Sequence, residues 1–80
     1  SLGKFDLIFI DGDHSYSSVK KDLELSIKYI NKKGLIIMHD VFLADSGPNK
    51  LWKDIRNDFK TKEIFYPIND FKFGFGIIET

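Results

Sequence analysis

Residues 5–41 read FDLIFIDGDHSYSSVKKDLELSIKYINKKGLIIMHDV, and this stretch decides the fold. Phe5 to Ile10 is a dense apolar run rich in Ile and Phe, the composition of a strand buried on both faces. Asp11-Gly12-Asp13-His14-Ser15 follows as a turn. From Tyr16 the period changes: Tyr16, Val19, Leu23, Ile27 and Ile30 are spaced by three and four, which puts them on one face of a helix, with Leu25 off that stripe. Ser15 serves as N-cap, Lys28, Lys32 and Lys33 suit the carboxyl end of the helix dipole, and Gly34 supplies the left-handed stop. Gly34 to Met38 is a second buried strand, closing at His39-Asp40. The unit has the length of a strand, a crossover helix and a parallel strand.

Outward from this unit the rhythm repeats less cleanly. A loop from Val41 to Pro48 leads into a short helix near Asn49 to Phe59, opened by Asn49 or Gly47, with Leu51, Trp52, Ile55 and Phe59 as its apolar face. Two strands follow, Glu63 to Ile68 and Lys72 to Ile78. The three residues between them permit an antiparallel hairpin or a passage around an intervening position, so the sheet is mixed. Gly74 and Gly76 alternate with Phe73, Phe75 and Ile77, the pattern of a strand against which something packs closely. Trp52, Tyr16 and the phenylalanines are assigned to the core because they fall on apolar stripes.

Eighty residues, 42% hydrophobic and 15% aromatic, with no cysteine and a net charge of zero, describe one soluble globular domain over residues 1–80. Its core is small, and without cysteine neither disulfides nor thiolate metal sites can reinforce it. Association is the remaining support. Twelve basic against twelve acidic residues give no general electrostatic reason for nucleic acid or anionic lipid as a partner. No apolar run approaches the roughly 20 residues of a membrane span. Lys4 and Asp6 stand where the apolar part of an export signal would begin, so the expected location is cytoplasmic.

The chemistry-bearing residues gather after the two parallel strands: Asp11, Asp13 and His14 after the first, His39 and Asp40 after the second. Open α/β sheets bind ligands at this carboxyl edge. Carboxylates crowded there call for a neutralising cation. Oxygen ligands suit Mg²⁺ or Ca²⁺, and imidazoles widen the choice to Mn²⁺, Fe²⁺ or Zn²⁺. Each residue also has a plain structural use: Asp-Gly-Asp as a turn, Asp13 or Ser15 as a cap, His39 as a strand-end histidine. The coincidence at both strand ends favours a site.

Residues 5–41 resemble the fourth strand, following helix and fifth strand of class I S-adenosylmethionine-dependent methyltransferases, in the branch of the catechol and caffeoyl-CoA O-methyltransferases. GPNKLWKDI, from Gly47 to Ile55, continues the likeness. The resemblance implies an α/β Rossmann-like part-sheet, with family strands in the order 4-5-7-6, the last strand antiparallel, and two helices. By the same resemblance, residues 1–80 form the C-terminal half of such a fold. It implies S-adenosylmethionine as cofactor, a divalent metal such as Mg²⁺ held by Asp11 and Asp40, and a small-molecule acceptor. The family's base, commonly a lysine, falls on His14, where an imidazole can abstract the same proton. The asparagine that usually follows the second Asp is Val41 here, and His39 is the residue that can take its place as a ligand.

The Gly-rich turn that holds the cofactor in such enzymes is not in this sequence, so the chain by itself is expected to be inactive. Two other readings stand beside the methyltransferase: a non-catalytic, self-associating remnant, and a glycosyltransferase-type Asp-Gly-Asp site for metal and sugar nucleotide. Phe5 to Ile10 would be an edge strand, and homo-oligomerisation through it is the expected assembly.

Overall fold

β1 (Phe5–Ile10) lies parallel to β2 (Ile30–His39), and the helix α1 (Tyr16–Tyr29) crosses between them. The computed structural model describes residues 5–11, 15–68 and 71–80. A second helix, α2 (Gly47–Ile55), follows, and then β3 (Lys60–Ile68) and β4 (Phe71–Glu79) form an antiparallel hairpin. β4 is inserted beside β2, antiparallel to it, so the sheet order is β1-β2-β4-β3. This is the mixed α/β sheet with two helices that the resemblance implies.

Both helices cover one face. Val19 and Leu23 of α1 and Leu51 and Trp52 of α2 pack with Ile10, Ile36, Met38, Val41 and Ile78 in a single core. Burying an aliphatic or aromatic side chain of this size contributes about 1.5–3 kcal/mol, so these few residues carry most of the stability available to 80 residues. Trp52 seats its ring over Gly76, where any Cβ would collide with it, and donates its indole N–H to Glu63 Oε2 at 2.6 Å. Phe42 similarly occupies the space above Gly74. The close packing expected on this strand is therefore present at both glycines. The Tyr16 hydroxyl donates to Asp54 Oδ2 at 2.7 Å and joins the two helices; that bond holds the tyrosine pKa above the usual phenol value.

Ser15 caps α1 as expected, its Oγ accepting from the Ser18 amide. The other end differs. The helix stops at Tyr29, because Ile30 turns extended, enters the core and pairs with Phe5. Lys33, not Gly34, holds the left-handed conformation, with φ 68°. Between Phe5 and Leu7 β1 advances two residues while β2 advances from Ile30 to Leu35, so Asn31 to Gly34 form an irregular excursion. Asn31 Nδ2 donates to Asp6 Oδ1 at 2.8 Å, and the Thr80 hydroxyl lies 3.1 Å and 2.9 Å from the Asn31 and Gly34 carbonyls. Gly34 is required for space: a Cβ there would stand 2.7 Å from Ile30 Cγ1.

Further corrections concern burial and caps. Ser26 is buried on α1 and Ile27 is exposed, because the helix turns its Val19–Leu23–Ser26 line to the sheet; the Ser26 hydroxyl is satisfied by the Asp22 carbonyl at 2.7 Å. Ser46, not Asn49 or Gly47, caps α2, accepting from the Asn49 amide at 3.2 Å. Phe5 and Phe9 are partly exposed rather than core, since only one face of the sheet is covered; Phe65, on the helix side of the edge strand β3, and Tyr16, in the first turn of α1, are partly exposed as well. Among the described residues no helix is long and apolar enough to cross a membrane.

Candidate metal site

Asp11 is the first residue past β1. Ile10 pairs with Met38, so the parallel register carries Asp11 alongside His39, the last residue of β2. The chain leaves β2 through Asp40 in the left-handed conformation, φ 61°, and its amide donates to the Gly74 carbonyl at 3.1 Å. The Asp40 carbonyl accepts from the Leu43 amide at 3.1 Å, which closes a tight turn after the strand. This geometry folds the Asp40 carboxylate back beside the imidazole that precedes it.

The result is a convergence. His39 Nδ1 lies 3.1 Å from Asp11 Oδ1 and 3.1 Å from Asp40 Oδ2. The three prospective donor atoms fall within 4.8 Å of one another. Nδ1 is buried, yet neither carboxylate meets it in a hydrogen-bonding direction; the 3.1 Å distances are proximity without a directed bond. Two carboxylates and one imidazole nitrogen this close together are the donor types that a divalent cation of borderline hardness can use.

The imidazole is held from the side by rings. Its centroid lies 5.2 Å from that of Phe75 and 6.3 Å from that of Phe9, which are themselves 6.0 Å apart and edge-on. Sequence reasoning missed both phenylalanines. The signal was present: Phe9 is two residues before Asp11 and so shares its face of the strand, and Phe75 pairs with His39 across β2 and β4.

Of the sequence-predicted residues, Asp11, His39 and Asp40 are brought together. His14, the candidate base, and Asp13 lie outside the described residues. Val41 is buried in the core and offers no side-chain donor; its carbonyl accepts from Asn49 Nδ2 at 2.7 Å. That bond secures α2 against the loop that carries Asp40.

The same fold occurs in known proteins. A family described as a methyltransferase domain matches residues 1–41. The chain belongs to this methyltransferase family. Over its whole length it follows the class I S-adenosylmethionine-dependent methyltransferase fold, in that fold's C-terminal part. A proposed O-methyltransferase from Klebsiella pneumoniae superposes on 99% of the chain with a TM-score of 0.73 at 20% identity. The O-methyltransferase TomG from Streptomyces achromogenes, involved in tomaymycin synthesis and solved in complex with S-adenosylmethionine, superposes on 98% with a TM-score of 0.73 at 15% identity. The chain spans 41% of the length of each. An uncharacterised protein of Acanthamoeba polyphaga mimivirus is 51% identical over 35 residues, which are 44% of this chain and 16% of that protein. The family match is to a methyltransferase domain and not to the glycosyltransferase reading of Asp-Gly-Asp.

Proposed function

We propose that this chain is the acceptor-side part of a metal-dependent S-adenosylmethionine O-methyltransferase, with Asp11, His39 and Asp40 as ligands of a divalent cation. The observation that carries the proposal is the convergence of two carboxylates on His39 Nδ1 at the carboxyl edge of a parallel strand pair in a methyltransferase fold. The buried, undirected Nδ1 supports it, because a cation beside it would give that nitrogen a partner. When bound, such a cation acts as a Lewis acid that orients an acceptor hydroxyl and lowers its pKa.

The chain's own residues supply the rest. Asp11 and Asp40 provide negative charge, and the left-handed turn at Asp40 fixes the second carboxylate. Phe9 and Phe75 hold the imidazole plane and keep water from one side of it. His14, three residues beyond Asp11, is proposed to remove the acceptor proton, work to which an imidazole is suited. Three protein donors with Val41 in place of a fourth make the binding weak. The Gly-rich turn for the methyl donor is not among these 80 residues, so the isolated polypeptide is proposed neither to bind S-adenosylmethionine with useful affinity nor to transfer its methyl group.

Calorimetric titration with Mn²⁺ and Mg²⁺ tests the site directly. The expected result is sub-millimolar to millimolar binding, with Mn²⁺ tighter than Mg²⁺ because of the imidazole. Asp11→Asn and Asp40→Asn should each weaken it about tenfold or more, since even residues that only support metal ligands cost that much. Wild-type affinity in both variants, or no heat at millimolar metal in the wild type, rejects the assignment.

A further inference from the structure

The turn that follows β2 is held in a conformation its own residues disfavour. Asp40 and Asp45 are both left-handed, each with φ 61°, and a residue with a Cβ stays in that region only where neighbouring contacts enforce it. Asp40 is also one of the three prospective metal ligands, so whatever enforces this backbone decides where its carboxylate stands. β4 fixes one side, through the Gly74 carbonyl that accepts the Asp40 amide at 3.1 Å. The other side is fixed from α2.

The bonds of the loop close on themselves. The Leu43 amide donates to the Asp40 carbonyl and the Ser46 amide to the Leu43 carbonyl, each at 3.1 Å. Ser46 Oγ accepts the Asn49 amide at 3.2 Å, and Asn49 Nδ2 reaches back to the Val41 carbonyl at 2.7 Å. Asn49 is the third residue of α2, the position from which a side chain commonly returns to the amide of the cap residue. Here that amide already donates to Leu43, and the Asn49 side chain spans the loop instead. Asparagine is a poorer helix former than alanine, so the helix alone does not account for it. Both ends of the bond are anchored, because Val41 lies in the core and Leu51 and Trp52 hold α2 there.

We propose that Asn49 is a positioning residue for the candidate metal site, holding the Asp40 carboxylate beside His39 by tying the Val41 carbonyl to the start of α2. This role rests on Asp40 being a metal ligand, as proposed, and adds the residue that pre-forms the site. Without the bond the turn samples arrangements in which Asp40 Oδ2 leaves its place 3.1 Å from His39 Nδ1. Apparent affinity then falls in proportion to the fraction of molecules that keep the arrangement. Asn49 acts on the peptide that follows Asp40, so its effect passes through that ligand; Asp11 is carried by β1 and set by a different pairing.

Calorimetric titration of the 80-residue chain with Zn²⁺ tests this role, since Zn²⁺ stands high enough in the affinity order to keep weakened variants measurable. Asn49→Ala should weaken Zn²⁺ binding about tenfold, the lower end of what partners of metal ligands contribute. Ile78→Val trims the core at a site with no exposed surface, at a cost in stability similar to one lost hydrogen bond, and should bind as wild type does. In an Asp40→Asn background, Asn49→Ala should change affinity by less than about twofold; in an Asp11→Asn background the full loss should remain. An equal loss in both backgrounds overturns the positioning role and leaves a general loosening of the fold. Wild-type affinity in Asn49→Ala, beside weakened Asp11→Asn and Asp40→Asn variants, overturns the role and spares the metal site. Absence of Zn²⁺ binding by the wild type overturns the metal site and the role with it. Hydrogen exchange without metal gives a second measurement: the Asp40 and Leu43 amides should exchange about tenfold faster in Asn49→Ala than in Ile78→Val, and equal rates overturn the proposal.

Discussion

The two faces of the sheet are built by the same strands and treated in opposite ways. On one, Ile36, Met38 and Ile78 have no exposed surface beneath α1 and α2. On the other, Leu7, Phe9, Leu35 and Ile64 stand partly in solvent, and Phe9, Ile37, Ile64, Phe75 and Ile77 line one shallow apolar depression. Strands such as FDLIFI and LIIM are apolar at consecutive positions, the composition of a sheet meant for a layer on each side. This chain supplies one layer. Stability is therefore concentrated on the helix face, and the capacity for recognition on the open face, where the carboxylates and His39 also lie.

The sharpest way to break this contrast is to truncate adjacent residues of β2. Ile36→Ala empties a fully buried site and should cost about 2–5 kcal/mol, most of what an 80-residue domain has to spare. Leu35→Ala, one position away but 37% exposed on the open face, should cost less than about 1 kcal/mol. Urea titration of both variants measures the difference. Equal destabilisation would mean that the open face is covered in solution.

A smaller effect probes how tightly the helix face is packed. Gly74→Ala adds a methyl group into Phe42 and the Ile64 carbonyl, and the latter belongs to a paired backbone that has little room to move. The expected loss is about 1–3 kcal/mol by overpacking. Because the Gly74 carbonyl also accepts the Asp40 amide, the same variant should weaken Mn²⁺ binding measured by calorimetry. Unchanged metal affinity in a destabilised variant would separate the Asp40 turn from the packing beneath it.

The strand–helix–strand unit and the gathering of Asp11, His39 and Asp40 at one sheet edge were legible in the sequence because each rests on a local pattern: apolar runs, a three-four spacing, and acidic residues with histidine after both parallel strands; the sheet order came from the family resemblance alone. What was not legible depended on the third dimension. The end of α1 at Tyr29 is decided by Ile30 reaching the core and pairing with Phe5, a contact 25 residues distant in the chain. Ser26 buried in place of Ile27 follows from the rotation of α1 on the sheet, which periodicity fixes only loosely. The half-exposed phenylalanines follow from the absence of a second layer among the described elements, and no single strand's composition reveals that. The ring of Phe75 beside His39 required the register of β4 on β2, which the strand order alone does not give.

The smallest expected effect concerns the part of the open face that is polar. Lys60 and Lys62 of β3 lie 3.4 Å and 3.3 Å from the Glu79 carboxylate at the end of β4. The bond from Lys62, and after it the bond from Lys60, hold the Glu79 pKa below the usual carboxylate value against partial desolvation. A carboxylate with a depressed folded-state pKa contributes stability above its ordinary pKa and loses that contribution as pH falls through the depressed value. Wild type should therefore exceed Glu79→Gln in urea midpoint by a small margin at pH 7, and the margin should close on acidification below the ordinary glutamate range. It should also shrink in high salt, because the pair is close to solvent. A margin that persists at pH 2 would mean that the side chain acts through packing rather than charge.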